Sequence, residues 1–267
     1  MSGEFTRGVW IVAYREVLRM VRDPARMASS FVMPLMFLVI FGSGFGRLIG
    51  GMAPGVNFIK FLFPGIIGMT VFMTSMMSGV SVVWDREFGF LKELLVAPIS
   101  RLGIVVGKVI GTVVLALFQA SVMLLLAPFI GVSITLTLLA KLIPLLVIVS
   151  LSLSSFGILL AVRMRSQQGF QMIIQLLIFP MMFLSGVFFP LNNVPGWLST
   201  ISKFNPLTYG VDSVRHAFLD AVGAGAPHLL GVTLFGHVMT MVQDALVMAG
   251  VGVVLLTLSA AAFARQP

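Results

Sequence analysis

The chain has 267 residues, a formal net charge of +8, 58% hydrophobic residues and no cysteine. Charged residues make up only 10% of it, against about 25% in a typical soluble domain, and the mean hydropathy is +1.08. These values exclude an ordinary water-soluble globule, and the missing cysteines exclude disulfides, thiol nucleophiles and Cys-based metal sites. The positive charge then reads as Lys and Arg flanking membrane spans rather than as a nucleic-acid footprint.

Residues 1–26 predict a helix lying on a membrane face. Arg15, Arg19 and Arg22 recur at spacings of four and three, while Trp10, Tyr14, Val17 and Val21 fall on another side, as suits the headgroup boundary. Asp23-Pro24 ends it, with Asp23 placed to cap and Pro24 at the first position of the next helix. The stretch serves either as a basic anchor or in partner docking. No small-residue cleavage site follows the first apolar run, which reads as a retained span and not a signal peptide.

A membrane helix needs about 20 mostly apolar residues. Six such segments lie near 29–48, 60–84, 105–130, 139–162, 169–190 and 243–264. The expected fold is an all-α membrane protein of one transmembrane domain covering 1–267. With the N-terminus cytoplasmic, five Lys and Arg fall outside (Arg47, Lys60, Lys141, Lys203 and Arg215) and the other twelve of the 17 fall inside, Arg7 to Arg265. That bias places both termini in the cytoplasm. The outer segment 190–242 carries turn signals at Asn192-Asn193, Pro195-Gly196 and Asn205-Pro206. Between them, 195–204 and 206–221 predict amphipathic helices too polar to span, which either dip into the outer leaflet or cover the bundle.

The stretch DREFGFLKELLVAPISR, residues 85–101, places six charged residues and a proline between two apolar segments. On a helix over 86–97, Phe88, Phe90, Leu91, Leu94 and Leu95 fill one arc of roughly 160°. Arg86, Gly89, Lys92 and Glu93 occupy the opposite side, and Glu87 sits near the expected helix start, where the dipole favours an acid. Pro98 stops the helix and Ser100 is placed to cap the next. The expectation is a short amphipathic helix held rigidly between the second and third spans.

REFGFLKELLVAPISRLGIVVGKVIG resembles the motif of the type-2 ATP-binding-cassette exporter permeases, R-E-x-G-x-L-x-x-L-L-x-x-P-x-S-R. REVLRMVRDPARMASSFVMPLMFLVIFG is similar to that family's leading helix and first span. FLSGVFFPLNNVPGWLSTISKFNPLTYGVDSVRHAFL is similar to its fifth span and outer hairpin. The likeness covers essentially the whole chain and is strongest to daunorubicin-resistance, multidrug and nodulation-factor export permeases. It implies that 85–97 is a coupling helix docking into a groove of a cytosolic ATPase. Arg86, Glu87 and Gly89 would sit at that contact or shape it, with Phe88, Lys92 and Glu93 on the same element and Leu91, Leu94 and Leu95 packing beneath. Pro98, Ser100 and Arg101 would form the corner into the third span. It further implies two permease copies, in an inner membrane, working with two ATPase subunits that bind the ATP and magnesium.

GIVVGKV, residues 103–109, has one residue too few for a phosphate-binding loop, and Val109 stands where Ser or Thr would hold magnesium. No nucleotide site or catalytic constellation is expected in this chain. His216, His228 and His237 show no carboxylates at metal-ligand spacing, so no metal site is expected; Asp212 reads as a local partner of Arg215 or His216. The six spans lack ionisable residues away from their ends, which disfavours an ion-coupled carrier and favours an external energy source.

Two stripes are candidates for a substrate path: Met69, Phe72, Met73 and Met76 in the second span, and Gln168, Gln171, Gln175, Phe179 and Met182 in the fifth. Ordinary helix packing, with glutamines as interhelical glue, is the alternative. Gly42, Gly46 and Gly50 have a spacing suited to close helix contact. The reading is a permease that moves a hydrophobic, amphipathic or lipid-like molecule outward by alternating access. The alternatives are a polysaccharide or glycolipid exporter and a membrane scaffold that recruits an ATPase without transporting.

Overall fold

The computed structural model describes residues 2–49, 58–89, 100–191, 194–222, 231–234 and 237–265. Helix α1 spans Ser2–Val21 and α2 Pro24–Ile49, with Pro24 at the first helical position as expected. Helices α3 (Phe58–Met76) and α4 (Ser78–Glu87) follow, then α5 (Arg101–Leu124), α6 (Leu136–Ala161) and α7 (Gln167–Leu184). Beyond them lie α8 (Gly196–Phe204), α9 (Pro206–Val222), a hairpin pairing β1 (Thr233–Leu234) with β2 (His237–Val238), and α10 (Met241–Ala264).

Six segments among the described residues are long and apolar enough to cross a membrane: 27–44, 58–87, 101–124, 136–161, 167–184 and 241–264. The chain is an all-α multi-pass membrane protein, apart from the two-residue strands. Side-chain caps fix the helix starts. Ser100, Thr135 and Ser166 accept from the backbone N–H three residues on, and Thr240 with Gln243 forms a capping box at α10.

The second span is two helices and not the single one expected. It breaks at Met77, where α4 meets α6 backbone to backbone: a Cβ on Gly79 would collide with the Gly157 carbonyl, and one on Gly157 would lie 2.7 Å from the Met76 carbonyl. Gly42 packs against Ile59, and Gly50 lies outside the described residues.

Two ends of the bundle can be distinguished. The basal end gathers α1, the end of α4, the starts of α5 and α7, and the last residues of α10. The hairpin end carries residues 125–135, α8, α9 and the β pairing. Helix α7 has 18 residues, about 27 Å, while α6 has 26, about 39 Å. The fifth span therefore stops at Leu184, earlier than the expected 190, at a turn with Gly186 at φ +76°. Helices α8 and α9 fill the space left above it as a re-entrant pair whose tip is Asn205-Pro206. Asn205 Nδ2 donates to the Met181 carbonyl at 2.6 Å, and Gly210 packs on Val149 near the middle of α6. Asp220, at the other end of α9, pairs with Lys141 in the second turn of α6. The amphipathic pair dips into the bundle rather than merely covering it.

Candidate functional site

Helix α4 runs to Glu87, and Phe88 N–H still donates to the Trp84 carbonyl at 3.0 Å. Gly89 follows at φ +77°, in the left-handed region that ends helices at glycine. Among the described residues no atom lies within 4 Å of where its Cβ would be, and the backbone conformation calls for glycine. The expected helix over 86–97 therefore does not begin at Arg86. Arg86 and Glu87 close the membrane helix, because the buried run Val80, Val82 and Val83 carries α4 through to them. Leu91, Lys92, Glu93, Leu94, Leu95 and Pro98 lie outside the described residues.

The two charged residues that close α4 reach across to the α6–α7 connection. Arg86 donates from Nη2 to the Val162 carbonyl at 2.8 Å and from Nη1 to the Met164 carbonyl at 2.7 Å, just past the end of α6. A cation there meets carbonyls that have no helical partner and the negative end of the α6 dipole. Glu87 Oε2 accepts from the Gln167 N–H at 3.0 Å, the first residue of α7, where the dipole favours an anion. Glu87 thus complements a helix start, but that of α7 and not of a helix it begins itself. The two residues form a clamp joining the second span to the connection between the fourth and fifth.

Across the same corner, Ser100 Oγ accepts from Gly103 N–H at 3.0 Å, as its position predicted. Arg101 Nη1 donates to the Ala264 carbonyl and so ties α5 to the end of α10. Phe88 is 73% exposed and stacks edge-on against Trp84, with ring centres 5.6 Å apart.

Lys108, counted among the positive residues on the inner side, is held within the bundle. It is buried, and its Nζ lies 2.6 Å from Asp85 Oδ2, 3.0 Å from Glu16 Oε1 and 2.9 Å from Ser81 Oγ. Arg15 Nη2 reaches the same Asp85 oxygen at 2.8 Å. Helix α1 is therefore docked and not only laid on a membrane face. Val9, Val12 and Ala13 pack on Gly107 and Gly111 of α5, while Trp10, Tyr14 and Val21 stay exposed. Beside this network is a cavity of about 280 Å³ lined by Glu16, Arg19, Thr74, Ser78, Trp84 and Thr112, among others. A lysine three residues inside a span and an aspartate at the end of the preceding one were signals that the spans' ends hold a paired charge.

The two stripes separate. Met69, Phe72 and Met76 are fully buried inside the chain and Met73 is half-buried, which is the packing alternative. Met182 is also buried, whereas Gln168, Gln171, Gln175 and Phe179 face outward along α7. That outward face also carries Met172 and Leu176, 65% and 74% exposed.

At the hairpin end, the expectation that no histidine has carboxylates at metal-ligand spacing is overturned. Asp212, His216 and Asp244 place their ligand atoms within 4.8 Å of one another. Asp244 belongs to α10 and is brought there only by the re-entrant fold. Arg215, offered as Asp212's partner, instead donates to the Gly186 carbonyl at 2.7 Å.

The family model for the ABC-2 type transporter matches residues 7–219, which takes in the corner, the clamp and most of α9. The chain belongs to the ABC-2 type transporter family. Such a permease is the membrane subunit of an ABC transporter and works with an ATPase partner. Among its relatives is the ycf38 product of Cyanophora paradoxa, named as a transport permease. It is 30% identical over 220 residues, covering 80% of this chain and 75% of that one. The inner membrane transport permease YadH of Escherichia coli strain K12 is 28% identical over 217 residues, 78% of each chain. The probable multidrug ABC transporter permease YbhR of the same strain is 30% identical over 173 residues, 62% of this ABC-2 chain and 45% of YbhR.

Proposed function

We propose that this chain is the membrane half of an ATP-driven exporter, with two permease copies and two cytosolic ATPase subunits. The segment that follows Glu87, through Arg101, docks on the ATPase, and ATP binding and magnesium belong to that partner. The observation that carries the reading is the clamp: a push on the corner after Glu87 is delivered through Arg86 and Glu87 to the ends of α6 and α7 together. Helix α7 bears the outward-facing stripe of Gln168, Gln171, Gln175 and Phe179, which we assign to the path between the two copies. Phe88, exposed at the corner, is the residue we place in the ATPase groove.

The cargo is a hydrophobic, amphipathic or lipid-like molecule, moved outward by alternating exposure of a site whose contacts differ between two states. The name of YbhR, a multidrug permease, favours that class over a sugar polymer, as do only three tryptophans and two tyrosines. Both termini are placed in the cytoplasm and the protein in a bacterial inner membrane. The test is co-reconstitution with the ATPase in liposomes loaded with a lipophilic dye. ATP-dependent dye movement, abolished by a hydrolysis-dead ATPase, is the expected result. ATP turnover with no movement of dye or of a fluorescent lipid would favour the scaffold reading.

A further inference from the structure

Asp212 and His216 lie one turn apart on α9 and face Asp244 in the first turn of α10. All three are buried, and their ligand atoms lie within 4.8 Å of one another. The Asp244 side chain has no exposed surface, and neither of its oxygens has a hydrogen-bond partner; His216 Nδ1 has none either. The separation of His216 Nδ1 and Asp244 Oδ2 is 3.6 Å, longer than a hydrogen bond. Asp212 is better held, Oδ2 accepting from the Val232 N–H at 2.8 Å.

The Arg215 guanidinium is not bonded to Asp244. Arg215 is directed to the Gly186 carbonyl, and its guanidinium lies 4.0 Å from the centre of the Phe61 ring. A buried carboxylate with no hydrogen bond, and with only the 3.6 Å approach of His216 beside it, is poorly compensated, and the usual remedies are a better-paired charge or a metal. Two carboxylates and one imidazole make a donor set for a borderline divalent ion, with one position open. Tetrahedral coordination at zinc distances brings ligand atoms to about 3.4 Å apart, which small side-chain rotations supply from the present spacing. The backbone at Gly231 packs on the His216 ring: a Cβ there would sit 3.3 Å from Nε2.

We propose that Asp212, His216 and Asp244 form a binding site for one divalent transition-metal ion, zinc foremost. The ion fastens the re-entrant helix α9 to the start of α10 at the hairpin end. It takes no part in ATP hydrolysis and is independent of the export reading.

The test uses the untagged full-length chain in detergent, stripped with a chelator and equilibrated with zinc chloride alone. Metal content after desalting is expected at one zinc per chain, and the melting temperature is expected to rise with zinc. Cobalt in its place is expected to give the visible absorption of tetrahedral coordination, a readout that needs no variant. His216→Gln is expected to weaken zinc binding at least about tenfold, while His237→Gln, on the exposed strand, leaves it unchanged. Should His216→Gln fail to fold, His216→Cys keeps a zinc donor and is expected to retain the ion. A wild type that keeps no zinc and gives no cobalt band overturns the proposal. So does a folded His216→Gln that binds zinc as tightly as the wild type.

Discussion

Lys108 and Asp85 are joined at 2.6 Å inside the bundle, and Glu16 of α1 completes the contact at 3.0 Å from the same ammonium. One buried charge therefore holds α1, α4 and α5 together at the end from which the 85–101 segment departs. A buried ion pair is weak evidence of net stabilisation, but removing one partner leaves charges without compensation. Lys108→Met removes the ammonium that Asp85 and Glu16 share, and is predicted to destabilise the fold by about 3–5 kcal/mol. Lys108→Met combined with Asp85→Asn is predicted to cost less than the sum of the two single changes. Unfolding of the purified variants in detergent measures both.

Docking of α1 depends on two glycines. A Cβ on Gly107 would lie 2.8 Å from the Val9 carbonyl and from Val12 Cβ, and one on Gly111 would lie 2.7 Å from Glu16 Cβ. Gly107→Leu is predicted to lift α1 off α5. Because the native chain has no cysteine, Val12→Cys reports this directly. The thiol, at 1% exposure, is predicted to resist maleimide in the parent and to label at least about tenfold faster with Gly107→Leu added. Equal rates would mean that the two glycines do not govern docking.

The clamp separates coupling from docking. Arg86→Ala removes the donors to the Val162 and Met164 carbonyls, and Glu87→Gln weakens the acceptor at Gln167. Loss of a charge-assisted hydrogen bond corresponds to about 1.5–3 kcal/mol, enough for a tenfold fall in permease-stimulated ATP turnover. The ATPase is predicted to stay bound. Variants that release the ATPase would instead place these two side chains at the partner's surface.

The orientation is testable with the same cysteine-free background. Ser166 lies at the basal end and Thr200 on α8 at the hairpin end, both exposed. Ser166→Cys is predicted to react with an impermeant maleimide only in inverted membrane vesicles, and Thr200→Cys only in intact cells. The reverse pattern would place the termini outside.

Six apolar runs and two short amphipathic helices after the fifth were legible because hydropathy, turn residues and caps are local; that the pair dips inward was not. Ser100 and Pro24 stand where their chemistry predicted. The roles of Arg86 and Glu87 were not legible in the same way. A helical wheel over 86–97 separates apolar from polar residues whether or not a helix starts there. What decides the break is Gly89's left-handed backbone and helix ends about 80 residues away in sequence, those at Val162 to Gln167. Lys108 was counted only by its side of the membrane, because nothing local shows that Asp85 and Glu16 converge on it. Asp244 lies 28 residues beyond His216, and only the inward dip of α9 brings the two together.

The measurement that bears most directly on the account is capture of the partner ATPase by the permease in nanodiscs, wild type against Phe88→Asp, with ATP turnover read on the same samples. Phe88 is exposed and, among the described residues, its aromatic contact is the edge of Trp84, so the variant is predicted to fold. The account predicts that the wild type retains and stimulates the ATPase and that Phe88→Asp loses both by tenfold or more. Equal retention and turnover in the two would contradict the placing of this corner as the site where ATP hydrolysis reaches the membrane.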